Sequence, residues 1–333
     1  MHSYVLFLVG VLTLGGFYAI LAQLLNIIGG WGGMPDLGIA GMVGIACYTY
    51  AITTQTSVKK VIFMPQWPWW AGLLAAGAVT GVAALVIGLP ALRLRGEYLL
   101  ITTLAFAEVI RQIAVNAIPL TNGTVGLTQV VRPFSDTFSG RDYRFFLLAV
   151  VASAVLMVFL LARRISTSPY GRMLRATRDN EPVGLSLGKN VARNRIVLYV
   201  FVGVILGLVA PIYLWHIRTT VPSLFSSELT FTVWTALVLG GIGSRLGPVV
   251  GATALVMLTE LFTFIQGSAV NAQILAATRP VLLGIVLILA MRLLPHGLLT
   301  ERRAFAAASR RWAMRARAAG RAPQPVAAQV VNA

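Results

Sequence analysis

RRISTSPYGRMLRATRDNEPVGLSLGKNVARNR (Arg163–Arg195) is a basic, loop-like stretch set between apolar runs long enough to cross a bilayer. Charged side chains at the centre of a bilayer are expensive, so this segment stays out of the hydrocarbon. Its neighbours are charge-poor and close to the roughly 20 residues that a spanning helix needs. The contrast predicts an all-α integral membrane protein that keeps a cytoplasmic surface for meeting a partner.

The rest of the chain agrees. Its 333 residues are 57% hydrophobic and 11% charged, with mean hydropathy +0.81, whereas soluble domains carry about a quarter charged residues. A net charge of +17 raises nucleic acid as a partner. The basic residues, however, cluster in loops and tails beside apolar runs, as the positive-inside rule and anionic headgroups place them. The partner this implies is the lipid bilayer, and no nucleic acid is expected. Cys47 is alone, so no intrachain disulfide or cysteine metal cluster can form. In GIACYTYA it reads as a small buried hydrophobe. Tyr4–Ile28 is too long for a cleaved leader's apolar core and has no Lys or Arg before it, so it reads as a first span.

Nine charge-poor runs are candidate membrane segments: 4–28, 36–55, 69–91, 97–118, 144–162, 195–216, 224–242, 246–266 and 275–294. The expectation is a multi-helix bundle of about 8–10 transmembrane segments over residues 1–300, followed by a basic, partly disordered tail over 301–333. Residues 301–318 are a candidate basic helix on the inner leaflet. The second and seventh runs adjoin glycine clusters and are expected to be broken or re-entrant. Arg163–Arg195 and the arginine-rich tail are both placed inside, which four crossings between them allow. Five crossings before Arg163 put the N-terminus outside. LRLRGE (Leu92–Glu97) then lies inside, while Lys59 and Lys60 fall outside against the rule.

Enzyme chemistry is not visible. Gly184–Asn190 is one residue short of a phosphate-binding loop and ends in Asn where a hydroxyl belongs. Leu239–Gly247 misses the dinucleotide glycine spacing. His2, His216 and His296 lack ligand spacing, so no metal is expected. Asn122–Thr124 matches a glycosylation sequon at chance frequency.

Within the basic stretch, Ser168-Pro169 is a helix start, with serine capping free amides and proline at the first helical position. Tyr170–Arg178 then makes about two turns, Asn180-Glu181-Pro182 restarts the chain, and Gly188 stops it. Met173, Leu174, Val183, Leu185 and Leu187 would seat this element in a groove of a soluble partner, steered by Arg172, Arg175 and Arg178. The bland alternative is an inside loop whose arginines only fix topology.

Two further features carry chemistry. Gly29–Gly44 and Gly240–Gly251, with Gly203-x-x-x-Gly207 and Gly247-x-x-x-Gly251, allow close helix packing. They also allow broken helices whose free amides face an anion. Gly240, Gly241 and Gly243 are therefore candidate pathway residues. Glu108 lies about 16 Å along a helix from Glu97, with Arg111 three residues on and able to pair with it. Charge at that depth points to a bundle interior or a polar path, either as a structural ion pair or as a solute contact. Glu260 has the same two readings. Thr102 and Thr103 could offer hydroxyls to a path, or bond their own backbone.

Ser168–Ile196 resembles the cytoplasmic coupling segment of permeases in the branched-chain amino acid ABC transporter family, its LivM-like subunit being the closer match. Gly171, Arg172, Arg175, Ala176, Arg178, Glu181, Leu187 and Gly188 carry that resemblance. LRLRGEYLLITTLAFAEVIR (92–111), TNGTVGLT (121–128), VLGGIGSRLGPVVGA (238–252) and the P-x-G-L-L of Pro295–Leu299 follow in the same order. The block GGWGGMPDLGIAGMVGIACYTYA (29–51) departs from it, with Met34-Pro35-Asp36 inserted and Cys47 in place of a usual Ala. The resemblance implies a multi-pass permease of the bacterial inner membrane with a cytoplasmic C-terminus. It would work with a second permease subunit, two ABC ATPase subunits and a periplasmic substrate-binding protein. The cargo implied is a branched-chain amino acid or related small carboxylate solute. The subunit itself would be no enzyme and hold no cofactor, with hydrolysis in its partners. A stand-alone secondary transporter or channel would need buried acidic relays, for which only Glu108 and Glu260 offer themselves. A membrane enzyme would need convergent His, Asp or Ser groups.

Overall fold

In the computed structural model, described over residues 2–55, 61–91, 94, 96–135, 137–138, 140–186, 188–266, 272–294 and 297–299, every one of the nine apolar runs contains a helix. The chain forms α1 (His2–Leu25), α2 (Ile39–Thr54), α3 (Trp69–Ala91), α4 (Glu97–Asn116), α5 (Ile118–Thr121), α6 (Asp142–Thr167), α7 (Pro169–Asp179), α8 (Glu181–Ser186), α9 (Val191–Val209), α10 (Ile212–Ile217), α11 (Ser227–Gly240), α12 (Gly247–Gln266) and α13 (Ala272–Leu293). Lys59, Lys60, Leu92, Arg93, Arg95, Leu187, Pro295, His296 and the 301–333 tail with its expected surface helix lie outside the described residues.

Among the described residues, five segments have both the length and the hydropathy to cross a membrane: Val5–Trp31, Trp69–Ala91, Glu97–Asn116, Asp142–Thr167 and Val191–Ile217. The first gains length from a π-helical turn, Asn26–Trp31, that continues α1. The second and seventh runs, expected to be irregular, are the short ones. At 16 and 14 residues, α2 and α11 reach only about 24 and 21 Å, less than the ~30 Å of hydrocarbon. The backbone from 26 to 38 that leads into α2 is buried or half-buried throughout, and irregular backbone is tolerated where protein rather than lipid encloses it. Of the 16 residues of α2, 13 are buried, so this helix is wrapped on all sides. The sixth run, expected to be continuous, breaks at Ala210-Pro211 into α9 and α10, since proline cannot donate into the helical ladder.

Around α2, helix α1 packs on α12, α6 and α11, while α3 packs on α9 and on α2 itself. The small-residue spacings do what close packing requires. A Cβ on Gly207 would fall on the backbone of Ala76 and Gly77 in α3, and one on Gly203 on Ala84. A Cβ on Gly251 would strike the Ala236 carbonyl and Gly240 in α11. These glycines are where helix backbones touch. Cys47 is wholly buried, its Sγ 3.7 Å from the Ala210 carbonyl.

The connections gather at two ends. At one end Ile62 N donates to the Pro119 carbonyl (3.0 Å) and Trp67 N to that of Thr53 (2.7 Å). There β1 (Leu127–Thr128) pairs antiparallel with β2 (Thr219–Thr220). At the other end lie the 32–38 loop, α7, α8 and the 241–246 loop, where Leu298 N and Leu299 N donate to the carbonyls of Leu239 and Gly240 at 2.9 and 3.0 Å. The α7–α8 segment and residues 297–299 thus share an end, in keeping with the four apolar runs between them.

Candidate functional site: the coupling segment and the glycine blocks

The α7–α8 element is built from local rules. Ser168 Oγ accepts from Gly171 N at 3.1 Å and Pro169 opens α7, which satisfies one orphan amide and removes another. A Cβ on Gly171 would fall on the Ile165 carbonyl, so only glycine lets α7 turn back against the end of α6. After α8, Gly188 takes φ +69°. Gly188 N donates to the Leu185 carbonyl (2.9 Å) and Lys189 N to that of Gly184 (3.1 Å), the paired closure of a glycine C-terminal cap. The predicted start, restart and stop are all present.

The arginines point elsewhere than the docking picture suggested. Arg172 Nη1 donates to the Thr167 carbonyl (3.2 Å) and Arg175 Nη2 to that of Ser166 (2.9 Å). Both cations therefore sit on the open carbonyls at the C-terminus of α6, where the helix dipole favours them. Leu174 is 1% exposed and belongs to this chain's own core. That corrects its reading as an anchor for a partner: its position in α7 faces the bundle. Met173 is half-buried, its Sδ accepting from Asn194 Nδ2 at 3.4 Å. Among the residues α7 and α8 leave exposed are Arg172, Ala176, Asp179, Pro182 and Leu185, the last 52% exposed. Glu181 pairs with Arg195 at 3.3 Å with both side chains largely covered, and Tyr170 Oη donates to the Asn194 carbonyl at 2.8 Å. These bonds tie the element to the first turn of α9.

Arg178 reaches inward. Its Nη1 donates to the Gly30 carbonyl, its Nε meets Asp179 Oδ1 at 2.9 Å, and its stem lies over Gly33, which has φ +67°. Gly30 and Gly33 flank the end of the π-helical turn, a feature that often marks functional sites. From the same turn, Asn26 Nδ2 donates to the Ser244 carbonyl (2.7 Å) and Asn26 Oδ1 accepts from Gly243 N (2.7 Å). Trp31 Nε1 donates to the Gly243 carbonyl at 2.8 Å. The two glycine blocks thus meet, and Arg178 connects them to α7. Gly240, Gly241 and Gly243 are buried at this junction. Gly241 and Gly243 have φ +107° and +82°, and Gly297 lies against the Gly241 backbone.

Sequence reasoning passed over Asn26, Trp31 and Ser244. An asparagine inside an apolar run just before Gly-Gly was the available signal. Asp36, expected to be part of an insertion, braces the turn that leads into α2: its Oδ1 accepts from Gly38 N at 2.8 Å. Thr103 supports the same turn, its Oγ1 accepting from Leu37 N at 3.0 Å while it donates to the Leu100 carbonyl at 3.1 Å. Thr103 is wholly buried and Thr102 half-buried.

Glu108 and Arg111 pair as their spacing allows, Arg111 Nε to Glu108 Oε2 at 2.9 Å, with Gln112 Nε2 on Glu108 Oε1 at 2.9 Å. Their side chains are 50% and 25% exposed, so this part of α4 faces away from the subunit's own core. Glu260 lies at the opposite end from α7, on the wall of a cavity it shares with His216 and three arginines.

The sequence profile described as "Branched-chain amino acid transport system / permease component" matches residues 7–291. Two curated relatives, the high-affinity branched-chain amino acid transport system permease proteins LivM of Salmonella typhimurium and Escherichia coli, are each 29% identical over 275 residues. Each alignment covers 76% of this chain and 63% of the relative, so the chain spans less than two thirds of their length. A probable branched-chain amino acid transport permease protein LivM from Methanocaldococcus jannaschii is 26% identical over 306 residues, covering 89% of this chain and 83% of its own. No solved structure matches the chain. An apolar helical bundle, a basic helix pair at one end and a match running through nearly the whole bundle make this multi-pass membrane protein a member of the branched-chain amino acid transport permease family.

Proposed function

We propose that this chain is one permease subunit of an ABC importer for branched-chain amino acids or related small carboxylate solutes, powered by two separate ATPase subunits. A second permease and a periplasmic substrate-binding protein complete the assembly, and α7–α8 with the C-terminus lie on the cytoplasmic side. The names of its relatives support the cargo class, and the Lys/Arg bias supports the orientation. One observation carries the mechanism: α7–α8 shows an exposed face to its surroundings while Arg178 joins its inner face to the paired glycine blocks. A push on α7 is transmitted to the π-helical turn and the 241–246 loop. Both are irregular backbone between helices, and displacing them rocks α1, α2, α11 and α12. The free energy comes from differential binding of the ATPases to the two states.

The test is retention of the ATPases. Leu185→Glu with Ala176→Glu places charge on the exposed face and leaves the inward bonds alone. Co-purification of the ATPase subunits is expected to fall about tenfold or more, with the chain still folded by size-exclusion chromatography. Undiminished retention would remove the coupling role of this face. Uptake by the purified chain alone, driven by an ion gradient, would favour a stand-alone transporter.

Glu108 and Arg111 belong to the same reading. A half-exposed ion pair midway along a spanning helix is costly against lipid, so this face of α4 borders the solute path between the two permeases. With Cys47 buried, Gln112→Cys supplies one accessible thiol. In the assembled transporter it is expected to react with a water-soluble maleimide, and α4 faces lipid if it does not.

A further inference from the structure

At the end of the bundle away from α7, a cavity of about 600 Å³ lies among α1, α6, α10 and α12. One wall is apolar, with Phe7, Gly10 and Leu14 of α1 and Leu147 of α6. The other carries Arg132, Arg144 and Arg218 with His216 and Tyr143, against one carboxylate, Glu260, among the described lining residues. The cations crowd one another: burial first, and then the charge of Arg218, hold Arg132 below the usual arginine range.

Arg132 is positioned rather than loose. Its guanidinium lies over the Tyr143 ring, 5.1 Å from the centroid, and its Nη2 donates to the His216 carbonyl at 3.2 Å. Its Nε is nevertheless buried without an acceptor, and so is the hydroxyl of Tyr143, a residue only 5% exposed. Buried donors in native proteins nearly always have partners. Two unsatisfied donors in a cavity rich in positive charge call for a ligand with anionic oxygens.

Depth and shape narrow that ligand. The cationic wall is made by the first turn of α6, the end of α10 and the adjoining loops, which is headgroup level for helices that cross here. The apolar wall runs along α1 towards the hydrocarbon, beside Val5 and Leu8, which are 48% and 49% exposed. Charge at one end and a greasy groove at the other suit an amphiphile better than a free anion. We propose that this cavity binds the phosphodiester headgroup of an anionic phospholipid in the leaflet opposite the coupling segment. Arg132, Arg218 and Tyr143 donate to phosphate oxygens, and an acyl chain lies along Phe7, Gly10 and Leu14. Bidentate arginine contacts to phosphate favour this chemistry. The site is independent of which solute is moved.

The full chain, with the partners it retains, is placed in phosphatidylcholine nanodiscs carrying a minor fraction of phosphatidylglycerol, and bound lipid is counted by native mass spectrometry. Phosphatidylglycerol is expected to be enriched about tenfold over phosphatidylcholine relative to the bulk. The double variant Arg132→Gln, Arg218→Gln is expected to abolish the enrichment. Tyr143→Phe, which keeps the ring under Arg132, is expected to reduce it about threefold. Arg245→Gln, at the other end, is the charge control and keeps it. Equal retention of the two lipids, or enrichment that survives both cavity changes, overturns the proposal. Thermal protection by inorganic phosphate alone or by leucine alone, equal to that by phosphatidylglycerol, overturns the lipid assignment.

Discussion

Replacing Arg178 by alanine is expected to lower ATP-driven uptake about 5- to 30-fold while leaving the ATPase subunits bound. The first half follows from geometry. Arg178 is the side chain of α7 that reaches the π-helical turn, through its bond to Gly30 and its cover over Gly33. Losing one member of a coupling network removes on the order of 1–2 kcal/mol, and 1.4 kcal/mol is tenfold. The second half follows from direction: Arg178 points into the bundle, whereas Ala176 and Leu185 lie on the exposed face proposed to meet the ATPases. Arg178→Lys is expected to recover only part of the uptake, because an ammonium cannot hold Gly30 and Asp179 at once with a planar fork. Radiolabelled solute uptake into proteoliposomes, alongside ATPase retention, makes the measurement. Uptake within twofold of the unmodified transporter would show that force enters by another route.

Removing the Asn26 side chain strikes the other half of the junction. Asn26 is 2% exposed and holds Gly243 N and the Ser244 carbonyl, each at 2.7 Å. Asn26→Ala leaves both backbone groups buried without a partner, a cost of about 1–3 kcal/mol each. A thermal midpoint lower by several degrees in detergent is expected, with uptake falling in parallel. Asn26→Asp is expected to be no better: it keeps an acceptor for Gly243 but loses the donor to Ser244 and turns charge against that carbonyl. An unshifted midpoint in both variants would mean that Trp31 and close packing hold the glycine blocks together without Asn26.

Much of the α7–α8 element was readable because its determinants are neighbours in the chain. Ser168 caps an amide three residues on, and Gly188 closes bonds that span at most five residues. Glu108 and Arg111 were likewise predictable as a pair, being one helical turn apart. Their outward direction was not, because it depends on which face of α4 meets α2. The bonding of Arg172, Arg175 and Arg178 to this chain's own backbone escaped for the same reason. Their acceptors are carbonyls, which no residue type announces, and one of them lies at Gly30. Asp36 reads as an intrusion in the sequence, and only its bond to Gly38 places it in the turn before α2.

Residue order alone settled that this is a membrane protein, roughly where its helices run, and where its basic segment starts, restarts and stops. Burial in lipid and helix capping act over a few residues and leave plain compositional marks. Folding in three dimensions settled the rest: the enclosure of α2, the meeting of two glycine blocks some two hundred residues apart, and the carbonyls on which the arginines of α7 rest. Those outcomes hinge on backbone groups brought together across the bundle, and backbone groups are the same in every residue.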